Sequence, residues 1–184
     1  MININFTNFT NNFFVKDIIT DELDGNTYHS SLQEIIDKLG GKSYNNGLFV
    51  IYGQKDVSNY AEMIERLFPQ AKDKIFCFGR DWLNHQFAVI NYKPFTILQF
   101  DPNYRDITHI EVDLKQFFEQ ELILKCNDLC AKDYFLEWNK PLNYSQCAGY
   151  IIPLFLSGND SVDNLQIVDS YVDLEILVQL QVNS

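Results

Sequence analysis

Phe6, Phe9, Phe13 and Phe14 recur near the start of the chain at spacings of 3, 4 and 1, so residues 5 to 15 read as a short helix with one aromatic face. The stretch SSLQEIIDKL (30 to 39) reads as a capped helix. Ser30 or Ser31 supplies the cap, Glu34 closes a capping box and Gly40-Gly41 ends the helix. GLFVIY (47 to 52) follows the turn signal Asn46-Gly47 as a short apolar strand. VSNYAEMIERLF (57 to 68) places Tyr60, Met63, Ile64, Leu67 and Phe68 on one helical face and stops at Pro69. KIFCFG, HQFAVIN and FTILQFD then read as three strands, joined by a turn from Asp81 to Asn84 and another at Tyr92-Lys93-Pro94. Connections this short imply an antiparallel meander. HIEVDL (109 to 114) adds an edge strand, with Ile110 and Val112 alternating against His109, Glu111 and Asp113.

The last third is more helical. LKQFFEQELIL (114 to 124) and DLCAKDYFLEW (128 to 138) are amphipathic, and Pro141 ends the second. Residues 144 to 168 are rich in Gly, Pro, Asn and Asp around the apolar run IIPLFL, where Pro153 argues against a central strand. SYVDLEILVQLQV (170 to 182) fits either a helix, with Tyr171, Leu174, Leu177 and Val178 on one face, or a strand. The expected fold is therefore α+β: an antiparallel sheet of four to five strands packed with helices, the C-terminal part mainly helical. No linker composition and no internal repeat divides the chain, so one cooperative globule is expected, with parts at 1–104 and 105–184.

Charge narrows the partners. Twenty-five acids against 14 Lys and Arg give a net charge of −11 over 184 residues. After Lys140 the acids Asp160, Asp163, Asp169, Asp173 and Glu175 stand with no base at all. Such a chain repels phosphate backbones, which excludes direct nucleic-acid binding and favours a basic partner. No run approaches the length of a membrane helix, and the start has neither the basic nor the apolar region of a secretory signal, so the expected location is the cytoplasm. Cys77, Cys126, Cys130 and Cys147 show neither a CxxC pair nor zinc-ligand spacing and read as buried free thiols.

Candidate chemistry is sparse. Gly40-Gly41-Lys42-Ser43 lacks the first glycine of a phosphate loop and ends a helix where that loop must start one. His85, four residues after Asp81, invites an Asp–His pair and hence a small-substrate enzyme, but no nucleophile lies in a triad context, and a surface or strand-start histidine is the better reading. Asp101, Asp106, Glu111 and Asp113 carry no calcium-loop pattern and read as a solvated acidic edge. No cofactor, metal site or catalytic activity is expected. Trp138 reads as a core plug. Trp82, in a turn, either folds over the sheet or anchors a partner.

Two stretches are unusual as a pair. The first is CFGRDWLNHQFAV, with Cys77, Gly79, Asp81, Trp82, Gln86 and Phe87. The second follows the helix ending in FLEW and carries Gln146, Cys147, Gly149, Tyr150, Pro153, Gly158, Asp160, Asn164 and Leu165. With the Phe-rich start, the Gly-rich turn before GLFVIY and the helix ending in FP, they make the chain resemble a family of bacterial immunity proteins encoded beside type VI secretion toxins. Members combine a GAD-like N-terminal part with a Tdi-type C-terminal immunity domain. They often carry Gly-Gly where this chain has Ser157-Gly158. The resemblance implies a protein without catalysis that binds a cognate effector toxin, commonly a nuclease, and blocks it, in effect a DNase inhibitor. The motif residues above are then expected to shape the fold. On charge and exposure the toxin-facing candidates are Asp101, Asp106, Glu111, Asp113, Asp160, Asp163, Asp169, Trp82 and Tyr104. A regulatory domain binding some other cytoplasmic protein is the remaining alternative.

Overall fold

Seven strands run in sequence order across one antiparallel sheet: β1 (Val15–Ile18), β2 (Lys42–Tyr44), β3 (Phe49–Ile51), β4 (Ile75–Asp81), β5 (Gln86–Ile90), β6 (Lys93–Asp101) and β7 (Asp106–Ile110). Two more, β8 (Gln146–Tyr150) and β9 (Leu165–Asp169), form a separate antiparallel hairpin. The computed structural model describes residues 5–20, 28–90 and 93–182, residues 93–95 by their backbone. The α+β class holds, but four to five strands was too few. β1 and β2 are short, and β1 is largely exposed, so neither carries an apolar alternation. β8 is built from Cys, Ala and Gly, which a propensity reading discounts. β7 starts three residues earlier than expected, and the sheet therefore continues across position 104. The turn placed at Tyr92-Lys93-Pro94 lies partly outside the described residues.

Side chains alternate across the sheet and give its two faces different chemistry. The cross-strand row Val50–Arg80–Gln86–Phe100 lies on one face. It is covered by α3 (Gln54–Leu67), and Phe68, which caps the end of that helix, packs edge-on to Phe100 with ring centroids 5.0 Å apart. Phe49 and Phe87 lie on the other face, 5.2 Å apart, and meet Phe117 and Phe118. Those two sit in a π-helical turn (Phe117–Glu121) between α4 (Leu114–Gln116) and α5 (Leu122–Leu124). The N-terminal arm, α1 (Thr7–Asn12), adds Phe9 edge-on to Phe118. Glu119 accepts from the backbone N–H groups of Asn8 and Phe9, which fixes the arm despite its poor intrinsic helicity. The helix α2 (Ser30–Leu39) matches its expected span, but its cap is the His29 side chain, which accepts from Ser31 N, and not a serine.

The expected single helix at 128–138 is two. Ala131 is left-handed (φ 44°) and separates α6 (Cys126–Cys130) from α7 (Lys132–Trp138). The break wraps both segments around Trp82, which is fully buried, donates its Nε1–H to Cys130 O at 2.8 Å and packs on Tyr134, Phe135 and Trp138. All four cysteines are free and buried. The last element, α8 (Ser170–Val182), is a helix, started by Asp169, whose carboxylate accepts from Tyr171 N and Val172 N. It lies on α3 and on the hairpin.

Candidate functional site

The β4–β5 turn brings Asp81 and His85 together with Asp101 from the end of β6. Asp81 Oδ1 accepts from Leu83 N and His85 N, so its side chain sets the turn, and left-handed Asn84 (φ 69°) completes it. Asp81 Oδ2 meets His85 Nδ1 at 2.7 Å. The other ring nitrogen, Nε2, lies 3.4 Å from Asp101 Oδ2. Burial alone would lower the imidazole pKa, but the carboxylates of Asp81 and Asp101 outweigh it and raise it to about 10. Asp101 responds in kind: burial pushes its carboxyl up, the bond to His85 pulls it down further, and it ends below its ordinary value. His85 is thus a clamped imidazolium, 19% exposed, and not a free surface residue. With both nitrogens protonated and committed to carboxylates it has no lone pair to offer, and no Ser or Cys side chain hydrogen-bonds to it among the described residues.

Arg80 ties this turn to the C-terminal hairpin. It is fully buried, and its guanidinium donates to the carbonyls of Tyr144, Gln146 and Asp81. Beside it Gln86 accepts from Tyr52 Oη at 2.6 Å and donates to Asn84. Asn84 Nδ2 donates to Ser170 O and to Asp173, whose carboxyl is raised by burial. Asp173 also faces Cys147 Sγ at 3.8 Å, and a Cβ on Gly149 would press on Asp173 and Val168. Gly79 is fixed in the same way by the Val50 carbonyl against it. Most of the motif residues of the first stretch, and Gln146, Cys147 and Gly149 of the second, therefore hold the sheet and the hairpin together.

The rest of the second stretch builds an outward loop from Ile151 to Asn164. Asn164 is its hub: Oδ1 accepts from Ile152 N at 3.0 Å, and Nδ2 donates to Ile152 O at 2.9 Å and Asn159 O at 2.8 Å. Gly158 passes so close to the Ile152 carbonyl that any Cβ would collide with it. Tyr150 Oη donates to Asp160 at 2.7 Å. Pro153 supplies the carbonyl that accepts from Leu156 N and Gly158 N. Tyr134 stands near this loop, its pKa raised to about 12 by burial and by Asp160, Glu137 and Asp163. Tyr104, 63% exposed, lies near enough to Tyr150 to act on its ionisation. Tyr104, Glu137, Asp160 and Asp163 are exposed, whereas Tyr150 is half-buried and Tyr134 packs on Trp82 with its hydroxyl buried.

The other expected contacts are dispersed. Asp101 is spent on His85 and on the N–H groups of Asn103 and Tyr104. Asp106 and Glu111 are exposed on and beside the edge strand β7, while Asp113 caps α4 and Asp169 caps α8. Trp82, wholly enclosed, presents nothing to a partner. Outside these groups a cavity of about 240 Å³ lies between β1 and the end of α7, lined by Lys16, Asn46, Leu136, Asn139 and Lys140, without an acid or a nucleophile. No cluster of three or more His, Cys, Asp or Glu suited to a metal is present among the described residues. No helix among them is long and apolar enough to cross a membrane.

No protein-family model matches the chain, and neither does any curated protein sequence. The chain is similar in structure to Atu4351 from Agrobacterium tumefaciens: TM-score 0.69, 13% identity, covering 95% of this chain and 89% of that one. The likeness is one of fold. It spans both the seven-stranded sheet and the C-terminal hairpin, so the joined arrangement of the two parts is shared by a protein of very different sequence.

Proposed function

We propose that the chain is a cytoplasmic immunity protein that binds a cognate type VI secretion effector toxin, of the nuclease class, and occludes its active site. The observation that carries this reading is the acidic surface of Glu137, Asp160 and Asp163, with the exposed Tyr104 and the half-buried Tyr150 that donates to Asp160. Tyrosines supply contact area at low entropic cost, and uncompensated carboxylates match the basic groove a nuclease needs for its substrate. The motif residues that produce the family resemblance are consumed in building that surface and anchoring it to the sheet. His85, the obvious catalytic candidate, is consumed in the same way.

The test is direct. The reading expects an effector toxin gene next to this one; that toxin domain is mixed with the protein at equal concentration, its cleavage of DNA and RNA is measured with the stoichiometry of any complex, and a neighbourhood without such a gene counts against the reading. The expected results are a one-to-one complex and loss of cleavage. The association rate should fall as salt is raised from 0.05 to 0.5 M, because the Debye length shrinks from about 14 Å to about 4 Å over that range. Undiminished cleavage at micromolar protein rejects the immunity reading. A complex whose association rate is flat with salt rejects the electrostatic part of it.

A further inference from the structure

The loop from Ile151 to Asn164 carries half-exposed aliphatic side chains on a backbone tied by polar ones. Asn164 makes three hydrogen bonds to loop backbone, and Asp160 accepts from Tyr150. Ile151 is 54%, Ile152 52% and Leu156 54% exposed, beside the exposed polar residues Ser157, Asn159, Asp160 and Asp163. Aliphatics left half in water gain only part of the stability that burial gives. They are nonetheless held in one geometry, since Gly158 packs on the Ile152 carbonyl and Asn164 pins both ends of the segment. A pre-organised apolar group loses little conformational entropy on binding. Acids accompany the loop: Glu137, Asp160 and Asp163 act on Tyr134 beside it, and no Lys or Arg follows Lys140 in the sequence. An apolar centre with a charged rim is the anatomy of a protein-binding surface.

Resting on the immunity reading above, we infer that this loop is the docking element: Ile151, Ile152 and Leu156 enter an apolar depression on the toxin, and Asp160 and Asp163 pair with Lys or Arg at its margin. The rim charges favour a basic protein over a second copy of this chain, which would bring like charges together at the same contact. The outer face of α8, with Val172, Ile176 and Leu180, is also apolar, but the charges beside it, Arg66 and Glu175, are paired with each other and point to no partner.

The experiment compares three full-length variants with wild type against the toxin domain that the immunity reading expects beside the gene, carried as a cleavage-dead mutant. The apolar triple Ile151→Ser, Ile152→Ser, Leu156→Ser should raise Kd by about tenfold or more while leaving Tm unchanged or higher. Asp160→Asn with Asp163→Asn keeps the acceptor for Tyr150 and should mainly slow association at low salt. Asn164→Ala leaves every outward side chain in place and should weaken binding by loosening the loop. The same region should gain protection from hydrogen exchange in the wild-type complex. Tight binding by wild type and by all three variants overturns the docking assignment and leaves the immunity reading standing. No binding by wild type overturns both.

Discussion

His85 shows how one residue can look catalytic in sequence and be structural in the fold. The four-residue spacing from Asp81 is visible in the chain, but Asp101, which takes the second ring nitrogen, comes from the end of another strand, and no local pattern announces it. The clamp has a pH signature. An imidazole at about 6.5 when unfolded and about 10 when folded stabilises the native state fully below pH 6.5, and this stabilisation is lost as pH rises through 10. Each unit corresponds to about 1.4 kcal/mol, so, allowing for partial solvent access, the loss should be on the order of 3 kcal/mol. Urea unfolding at pH 6.5 and 10.5 measures it: wild type should lose that much more than His85→Asn, and equal losses would mean the ring is not held as an imidazolium. Trp82 differs in kind. A turn tryptophan has two sequence readings, and only the placement of α6 and α7 around it selects the buried one.

At the scale of elements, long strands and helices were legible because their apolar positions repeat with the right period. α2, α3 and β4 to β6 come through this way, and the short pieces do not. β1, β2 and β8 are defined by their neighbours' hydrogen bonds more than by their own side chains. The π-helical turn at Phe117–Glu121 interrupts a pattern that reads as one plain helix. Left-handed residues are equally silent. Ala131 (φ 44°) and Ser157 (φ 67°) occupy a region that costs an L-residue about 1 to 2 kcal/mol. Ser157 is one of the two positions at which members of the resembling family often carry Gly-Gly. Replacing either residue by Gly should stabilise the protein by about 0.5 to 1 kcal/mol, net of the extra backbone entropy of glycine. Chemical denaturation midpoints of Ala131→Gly and Ser157→Gly decide this, and a lower midpoint for either would place the strain elsewhere.

For the whole molecule, the expected parts at 1–104 and 105–184 are stitched together by side chains far apart in sequence. Tyr60 Oη meets Ser170 Oγ at 2.7 Å, Arg66 forms a forked pair with Glu175, Gln181 Nε2 donates to Pro102 O, and Arg80 reaches the carbonyls of Tyr144 and Gln146. Neither part keeps a satisfied interior without the other, so calorimetry should give one transition with matching calorimetric and van't Hoff enthalpies. Two resolved transitions would show that the hairpin and α8 melt separately. The absence of a linker is legible in sequence, but the pairs themselves join residues up to 110 positions apart, beyond the reach of any local pattern.

The order of the strands bears on how the chain is made. Because β1 to β7 pair strictly with their neighbours, the sheet is completed by local steps as residues emerge, and loop-closure costs stay small. The guanidinium of Arg80 and the carboxamide of Asn84 wait for partners that come from 144–173. At about 5 to 20 residues per second, the roughly seventy residues from β7 to the end of α8 take about 4 to 14 s to synthesise. During that interval the nascent chain holds a nearly finished sheet around an uncapped buried cation. The loop from Ile151 to Asn164 also gains its anchor only when β9 pairs, so any chain released early lacks both its closure and its contact surface.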